Sequence, residues 1–462
     1  MSEPALALKG RFDVAVIGAG VVGCAIARRF ALAGARVAVI DKAPDPLDGA
    51  SKGNSAILHT GFDAPVGSLE QRCVAAGHAE YLSIHGRMNL PLIRCGALVV
   101  AWSEAEEAVL PDLIAQAEAN GVTDARPLDR AALREAEPGL GEGARAAFLV
   151  PREYLIDPWS APHAYLEQAM AHGAEVLRGA AVTGGRHDGG WRLQTTRGTV
   201  AAGLVVNAAG LFGDLLDEAL TGRRDFHIRP RKGQFIVYDK PAARLASHIL
   251  LPVPSKVTKG IVVCRTAFGN LLVGPTAEDQ DDRDHATLVP ETLDALRRRG
   301  EEILPGLKGQ EVSALYAGLR PATEFKDYCI RAHEGLDYIT VGGIRSTGLS
   351  AALGIAAYVE ALAGLALTPP ATIHWPQVPN ISEYFPRDWQ SPGHGGILCH
   401  CEMATRREIL AALNGALPPR SLAGLKRRTR VTMGRCQGFF CTAELARLTE
   451  GHFDRPMAEA KE

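Results

Sequence analysis

Four cysteines stand near the end of this sequence in two closely spaced pairs, Cys399 and Cys401 in "ILCHCEM" and Cys436 and Cys441 in "GRCQGFFC". A C-x-C pair and a C-x4-C pair supply four soft thiolates, the donor set of either a zinc site or an iron–sulfur cluster, and the residue types alone do not separate the two. Near the other end, "VIGAGVVG" spaces Gly18, Gly20 and Gly23 as G-x-G-x-x-G, and Asp41 ends the next apolar run. In that pattern Gly18 permits a tight turn, Gly20 lets backbone approach a pyrophosphate, and Gly23 allows helix and strand to pack. Asp41 can then accept from a ribose hydroxyl. The pattern implies a dinucleotide and does not choose between NAD and FAD.

Basic residues outside regular polar faces add a second kind of chemistry. Arg320 in "AGLRPAT", Lys259 in "VTKGIVV" and Lys232 in "RPRKGQF" sit in glycine- or proline-bounded segments and point to an anionic substrate. Arginine offers a planar fork to a carboxylate or phosphate, lysine a point charge. His59 in "ILHTGFD" titrates in the range useful to a general base. The run "KRRTR" at 426–430 reads as a basic helical face, expected to be solvated rather than a dock for an acidic acceptor.

These groups need elements to hold them. Apolar residues 12–17 read as a short buried strand, Val21–Ala33 has helical spacing, and 36–40 is a second strand, a βαβ unit that implies a parallel sheet. Later, "AEVLRGAAVTGG", "GWRLQTT" and "GTVAAGLVVNAAG" read as consecutive strands, two joined by the Asp188-Gly189-Gly190 turn. Prolines and glycines crowd 369–396, a linker, and beyond it lies a compact tail of two or three short helices, the first opened by a Thr405/Glu408 capping box. The stretch "GLSAALGIAAYVEALAGLAL" is interrupted by Glu360 and closed by prolines, so it reads as a buried helix and not a membrane span.

The totals set outer bounds. At 462 residues the chain exceeds a single core, since these stop growing near roughly 250–300 residues. The balance of 50 Lys plus Arg against 52 Asp plus Glu leaves no global field to draw it onto nucleic acid or an anionic membrane. No aromatic interleaving argues for nucleic acid. The N-terminus lacks the features of a secretory signal, which places the expectation in the cytoplasm or at the inner face of the membrane. Cys24, Cys73, Cys95, Cys264 and Cys329 are scattered and read as reduced core residues.

The glycine pattern, "GASKGNSAILHTGFDA", "NAAGLFGD" and "VGGIRSTGLSAALGIA" occur in the order found in the D-amino-acid-oxidase-like superfamily of FAD enzymes. The sequence is similar to that superfamily, and most of all to its glycerol-3-phosphate and L-2-hydroxyglutarate dehydrogenase branch. The resemblance implies an α/β fold: a Rossmann-like FAD-binding domain (10–65, 156–225, 321–368) with an inserted α+β substrate domain (66–155, 226–320). It implies that Gly18, Gly20, Val22, Gly23, Asp41 and Lys42 hold the ADP half, that Ser51, Asn54 and Ser55 line pyrophosphate and flavin, and that Val182 flanks the adenine. Ala209, Gly210, Gly343, Gly348 and Leu349 would complete the cofactor site, with 342–349 approaching the isoalloxazine. The helix that starts near Gly348 would aim its positive end at the flavin. Thr347 departs from the pattern, standing where relatives often carry proline. His59 would be the base that takes the hydroxyl proton, Arg320 and Lys259 would anchor the substrate, and Ser346 would assist.

The tail resembles the bacterioferritin-associated-ferredoxin-like domain, which implies a [2Fe-2S] cluster on Cys399, Cys401, Cys436 and Cys441 in a domain at 397–455. Together the two resemblances imply an FAD-dependent dehydrogenase of a small anionic hydroxy compound, glycerol-3-phosphate or a 2-hydroxy acid. Its electrons would leave through the cluster to an acceptor protein or quinone. Two rivals share the cofactors: an amine or amino-acid dehydrogenase or oxidase, as one subunit of a homo- or hetero-oligomer, and a non-catalytic electron-transfer subunit.

Overall fold

A computed structural model describes residues 10–254 and 260–457. The fold starts with β1 (Arg11–Ile17), α1 (Val21–Ala33) and β2 (Val37–Ile40). The strands pair in parallel from Val14↔Val37 to Ile17↔Ile40. Both faces are apolar because both are covered: Val14, Val16, Val37 and Val39 join one buried cluster and Ala15, Ile17, Ala38 and Ile40 another. After α2 (Leu69–Ile84), the chain adds β3 (Gly198–Asn207), parallel to β1 and ending level with it at Ile17↔Asn207. It then leaves for a second, nine-stranded sheet in which β4 (Arg229–Tyr238) runs antiparallel to β5 (Val312–Ala322). It returns as β6 (Tyr338–Gly342), parallel to β3 through Val205↔Tyr338 to Asn207↔Thr340. The ends of β1, β2, β3 and β6 therefore share one edge of an eight-stranded sheet, where ligands of open α/β sheets bind.

One expectation fails in an instructive way. The stretch read as a single strand, "AEVLRGAAVTGG", breaks into Glu175–Leu177 and Val182–His187, which lie at opposite ends of the strand order of this sheet. Gly179 at φ 65° turns the chain between them. A small three-stranded sheet pairs Ile57–Leu58 and Leu92–Arg94 with Tyr154–Ile156, setting Leu58 opposite Tyr154.

The predicted buried helix is α3 (Gly348–Ala363), and it crosses α2 backbone to backbone. A Cβ on Gly77 would lie 2.1 Å from the Ser350 carbonyl oxygen, and one on Gly354 would lie 2.1 Å from that of Cys73. Only glycine allows this approach. No described helix is long and apolar enough to cross a membrane. Cys24, Cys73 and Cys264 are buried, Cys95 and Cys329 half-buried, and all are free thiols.

The 369–396 segment holds only one short 3-10 turn, Asp388–Gln390, yet it is packed down: Val378 and Ile381 are buried and Ser382 Oγ donates to the Ala267 carbonyl at 2.8 Å. Beyond it, α4 (Arg406–Asn414), α5 (Leu422–Thr429) and α6 (Thr442–Leu448) enclose Ile409, Leu413, Leu425 and Leu445. The capping box forms as expected: Glu408 N donates to Thr405 Oγ1 at 3.1 Å and Thr405 N to Glu408 Oε2 at 2.8 Å.

The basic run is not the solvated face expected. Arg427 pairs with Asp48 at 3.2 Å, Arg428 with Glu167 at 2.9 Å and Arg430 with Glu402 at 2.7 Å, while the Arg430 guanidinium also lies 4.0 Å from the Phe268 ring centroid. Periodicity could not show this, because the acids it meets come from distant segments. Such buried pairs lose in desolvation much of what they gain in attraction, so they fix the docking register more than they stabilise it.

The α2–α3 crossing gives a direct test. G354A or G77A should cost about 1–3 kcal/mol through overpacking and lower the thermal midpoint measured by circular dichroism. G86A, at an exposed position with nothing within 4 Å of the added Cβ, should leave it unchanged. Equal midpoints in all three would contradict this crossing.

Candidate active site

At the shared edge, the turn after β1 is built around its glycines. Gly18 has φ 108°, and a Cβ there would sit 2.4 Å from the Ala208 carbonyl oxygen; one on Gly23 would sit 1.8 Å from that of Gly18. Gly20 caps α1 without a side-chain hydrogen bond, and the first turn holds no acidic residue. Val21 N donates to Ser51 Oγ at 3.0 Å. The positive end of α1 is thus left to an anion. Asp41 accepts from Ala19 N at 2.5 Å and from Ala43 N at 2.7 Å. Burial pushes its carboxyl up, against the pull of those two N–H groups.

These groups open on a cavity of about 1020 Å³, at the upper end of the roughly 300–1,000 Å³ common for small-ligand sites. Gly18, Gly20, Val22, Asp41, Lys42, Ser51, Asn54, Ser55, Val182, Ala209, Gly210, Gly348 and Leu349 all line it, as do Arg320 and Ser346. Gly23 and Gly343 do not: the first lies under the turn against Gly18 and the second packs toward Cys329 and Thr323. The acid-free helix end, glycine-lined approach and extended cavity suit a dinucleotide in kind and size.

Part of the wall was not legible in advance. Residues 283–287 cross from the second sheet to the cavity. Arg283 Nη2 donates to buried Asp214 Oδ2 at 2.9 Å. Burial alone would raise the Asp214 carboxyl, but bonds from Arg283, Ile228 N and Arg224 outweigh it and hold it at about 2. Asp284 pairs with Lys42 at 3.2 Å, and Lys42 Nζ stands 3.5 Å from the Phe212 ring centroid. A loop dense in charge, "DDRDHAT", was the only sequence signal.

Arg320 on β5 donates to three backbone carbonyls, those of Arg231 at 3.3 Å, Lys232 at 3.2 Å and Thr276 at 2.7 Å. Burial, helped by neighbouring Arg231, draws its guanidinium down to about 10, still cationic at neutral pH. Lys232 is buried and paired with Glu278 at 3.2 Å, away from the cavity wall. Lys259 lies outside the described residues. Ser346 is exposed on the loop before α3. Thr347 closes that loop without proline: its Oγ1 lies 2.6 Å from the Tyr328 hydroxyl and donates to Glu70 Oε1 at 2.7 Å. His59 is not on the cavity wall. Its Nδ1 lies 2.7 Å from Glu153 Oε2, a partner the sequence did not suggest.

The tail cysteines approach in two pairs, Cys401 with Cys436 and Cys399 with Cys441. Backbone N–H groups point at the sulfurs. Those of Phe440, Gly438 and Phe439 lower the Cys436 thiol, while burial and Cys399 push Cys441 up to about 12 despite Thr432 N–H. Among the described residues no three His, Cys, Asp or Glu side chains are gathered as a metal-holding group. The donor chemistry suits a thiolate-ligated centre. Phe439 and Phe440, between the last two cysteines, are 82% and 76% exposed.

Comparison with known proteins agrees with the cavity. Residues 13–362 match the family described as "DAO: FAD dependent oxidoreductase". The chain is 32% identical to glycerol 3-phosphate dehydrogenase of Caloramator mitchellensis, covering 97% of this chain and 96% of that protein. It is 27% identical to a subunit of the anaerobic glycerol-3-phosphate dehydrogenase of Escherichia coli K12, covering 95% and 88%. The FAD-bound L-alpha-glycerophosphate oxidase of Mycoplasma pneumoniae superposes with a TM-score of 0.76 at 26% identity, over 81% of this chain and 100% of that one. This chain belongs to the DAO family of FAD-dependent oxidoreductases.

Proposed function

We propose that this flavoenzyme oxidises a small anionic hydroxy compound, with glycerol-3-phosphate as the first candidate and a 2-hydroxy acid as the neighbouring class. The observation that carries the reading is Arg320, a half-buried cation that donates to three backbone carbonyls on the wall of the same cavity as the dinucleotide cradle. A fork so held keeps its charge for an incoming phosphate or carboxylate. The near full-length similarity to a glycerol 3-phosphate dehydrogenase supports the choice of substrate. When bound, FAD supplies a two-electron acceptor and a [2Fe-2S] cluster a one-electron one.

In this reading the groups around Gly18, Gly20, Asp41 and Ser51 hold the cofactor, Arg320 and Lys259 anchor the substrate anion, Ser346 donates a hydroxyl contact and His59 takes the hydroxyl proton. The FAD-binding domain comprises 10–65, 156–225 and 321–368, supported by the strands of the eight-stranded sheet, which fall in those segments. Residues 66–155 and 226–320 form the substrate domain. Cys399, Cys401, Cys436 and Cys441 hold the cluster and pass electrons to an acceptor protein or quinone. The N–H groups aimed at three of the sulfurs support that assignment, since such bonds stabilise thiolate charge. So does the similarity to the Escherichia coli anaerobic enzyme, which runs on from the flavin region into the tail.

Two outcomes test these assignments. R320A should raise KM for glycerol-3-phosphate by roughly 10- to 100-fold in a dye-linked assay, the loss of a charged hydrogen bond worth about 1.5–3 kcal/mol. R320K should recover only part, because it keeps the charge and loses the fork. An unchanged KM in R320A would remove Arg320 from the substrate site. For the tail, anaerobically purified protein should contain iron and acid-labile sulfide in equal amounts, and C436S should lose both together with their visible absorbance. Stoichiometric zinc, or no metal at all, would overturn the cluster assignment.

A further inference from the structure

His59 and Glu153 are distant in sequence and adjacent in space because Leu58 pairs with Tyr154 across the small sheet. The Glu153 side chain is fully buried, and its charge is met from both oxygens: Oε2 lies 2.7 Å from His59 Nδ1, while Oε1 accepts from Thr60 N at 2.6 Å and from Thr60 Oγ1 at 2.8 Å. The backbone of His59 is fixed separately, its N donating to Ser350 Oγ at 2.8 Å on the first turn of α3. Ring and backbone are thus tied to two different elements.

We propose that Glu153 is the positioning residue for His59: it orients the imidazole, keeps the neutral-form proton on Nδ1, and raises the proton affinity of the ring so that proton exchange with substrate runs through Nε2. The inference rests on His59 being the base in the reading above. A carboxylate at hydrogen-bond distance favours the imidazolium that forms when the base has taken its proton, the part a triad carboxylate plays for its histidine. An unpaired buried carboxylate would be strongly disfavoured, and here three donors satisfy it. A glutamine could satisfy much of the same network; what only the carboxylate adds is charge beside the ring.

Among the described residues, the other titratable and charged groups facing this pair include His78, Arg152 and Cys95. His78 Nε2 lies 2.9 Å from the Arg152 carbonyl oxygen, its ring stacks on Tyr154 at 5.7 Å, and burial keeps its affinity for a proton low. Arg152 is paired with Asp124 at 2.9 Å. Burial raises the Cys95 thiol to about 11. His78 and Cys95 therefore stay uncharged through neutral pH, and Arg152 stays charged.

The test uses the FAD-loaded enzyme with glycerol-3-phosphate over a pH series. H59Q should lose roughly 100-fold or more in kcat/KM, the scale of general-base catalysis. E153Q should lose roughly 10- to 100-fold, with flavin content unchanged. Because a neighbouring anion favours the protonated ring, its removal should move the acid limb of the profile to lower pH by about one unit or more. E153D, which keeps the charge, should keep the limb near its wild-type position. H59Q/E153Q should be no slower than H59Q, as expected of a group that acts through the histidine. Independently of turnover, the His59 ring resonances, assigned by their absence in H59Q, should titrate lower in E153Q. If the limb and the ring titration both stay where they are in wild type, the proposal is overturned. If H59Q keeps its activity, the assignment of the base fails instead, while the ring titration still decides whether Glu153 governs His59.

Discussion

At the N-terminus of α1, backbone N–H groups with no acid in the first turn, and with only the Ser51 hydroxyl on Val21 N, face a cavity suited to a pyrophosphate. That electrostatic arrangement constrains much of what surrounds it. The turn must be tight enough for the helix to start at the sheet edge, which requires glycine where a Cβ would strike Ala208 or Gly18. β1, β2 and β3 must end level, which the register of Ile17 with Ile40 and Asn207 achieves, while β6 sets Thr340 opposite Asn207 and runs on to Gly342. The second sheet must then close the cavity from the other side, bringing Arg320 on β5 and the 283–287 segment against the same space.

The segment after β2 links that cavity to the tail. Asp41, Lys42 and Asp48 line the cavity, while Asp45 between them is buried and accepts from Arg420 N at 2.9 Å and Ser421 Oγ at 2.6 Å at the start of α5. Asp48 also pairs with Arg427. The start of α5 is therefore seated on the loop that carries cavity-lining Asp41.

How much could be seen beforehand depends on how local each signal was. The G-x-G-x-x-G turn, the bounds of α1, the Thr405/Glu408 box and α3 rest on neighbours within a few residues, so spacing alone predicts them. Thirteen of the residues expected to face a cofactor line one cavity. What failed was long-range. The strand broken at Gly179 sends its halves to opposite positions in the sheet, a consequence of topology and not of hydrophobic pattern. The arginines of "KRRTR" met acids from the first domain and from the stretch just before α4. Glu153 gave no hint in "PREYL" that it would meet His59, because only the pairing of the small sheet joins them.

On the proposed function, an anionic hydroxy compound delivers its electrons to FAD held in this cavity. Anaerobic titration of the purified enzyme, following the flavin absorbance band, tests it most directly. One equivalent of glycerol-3-phosphate, or of a 2-hydroxy acid, should bleach the flavin, and amino acids should leave it oxidised. Bleaching by amino acids with no response to either hydroxy compound would contradict it.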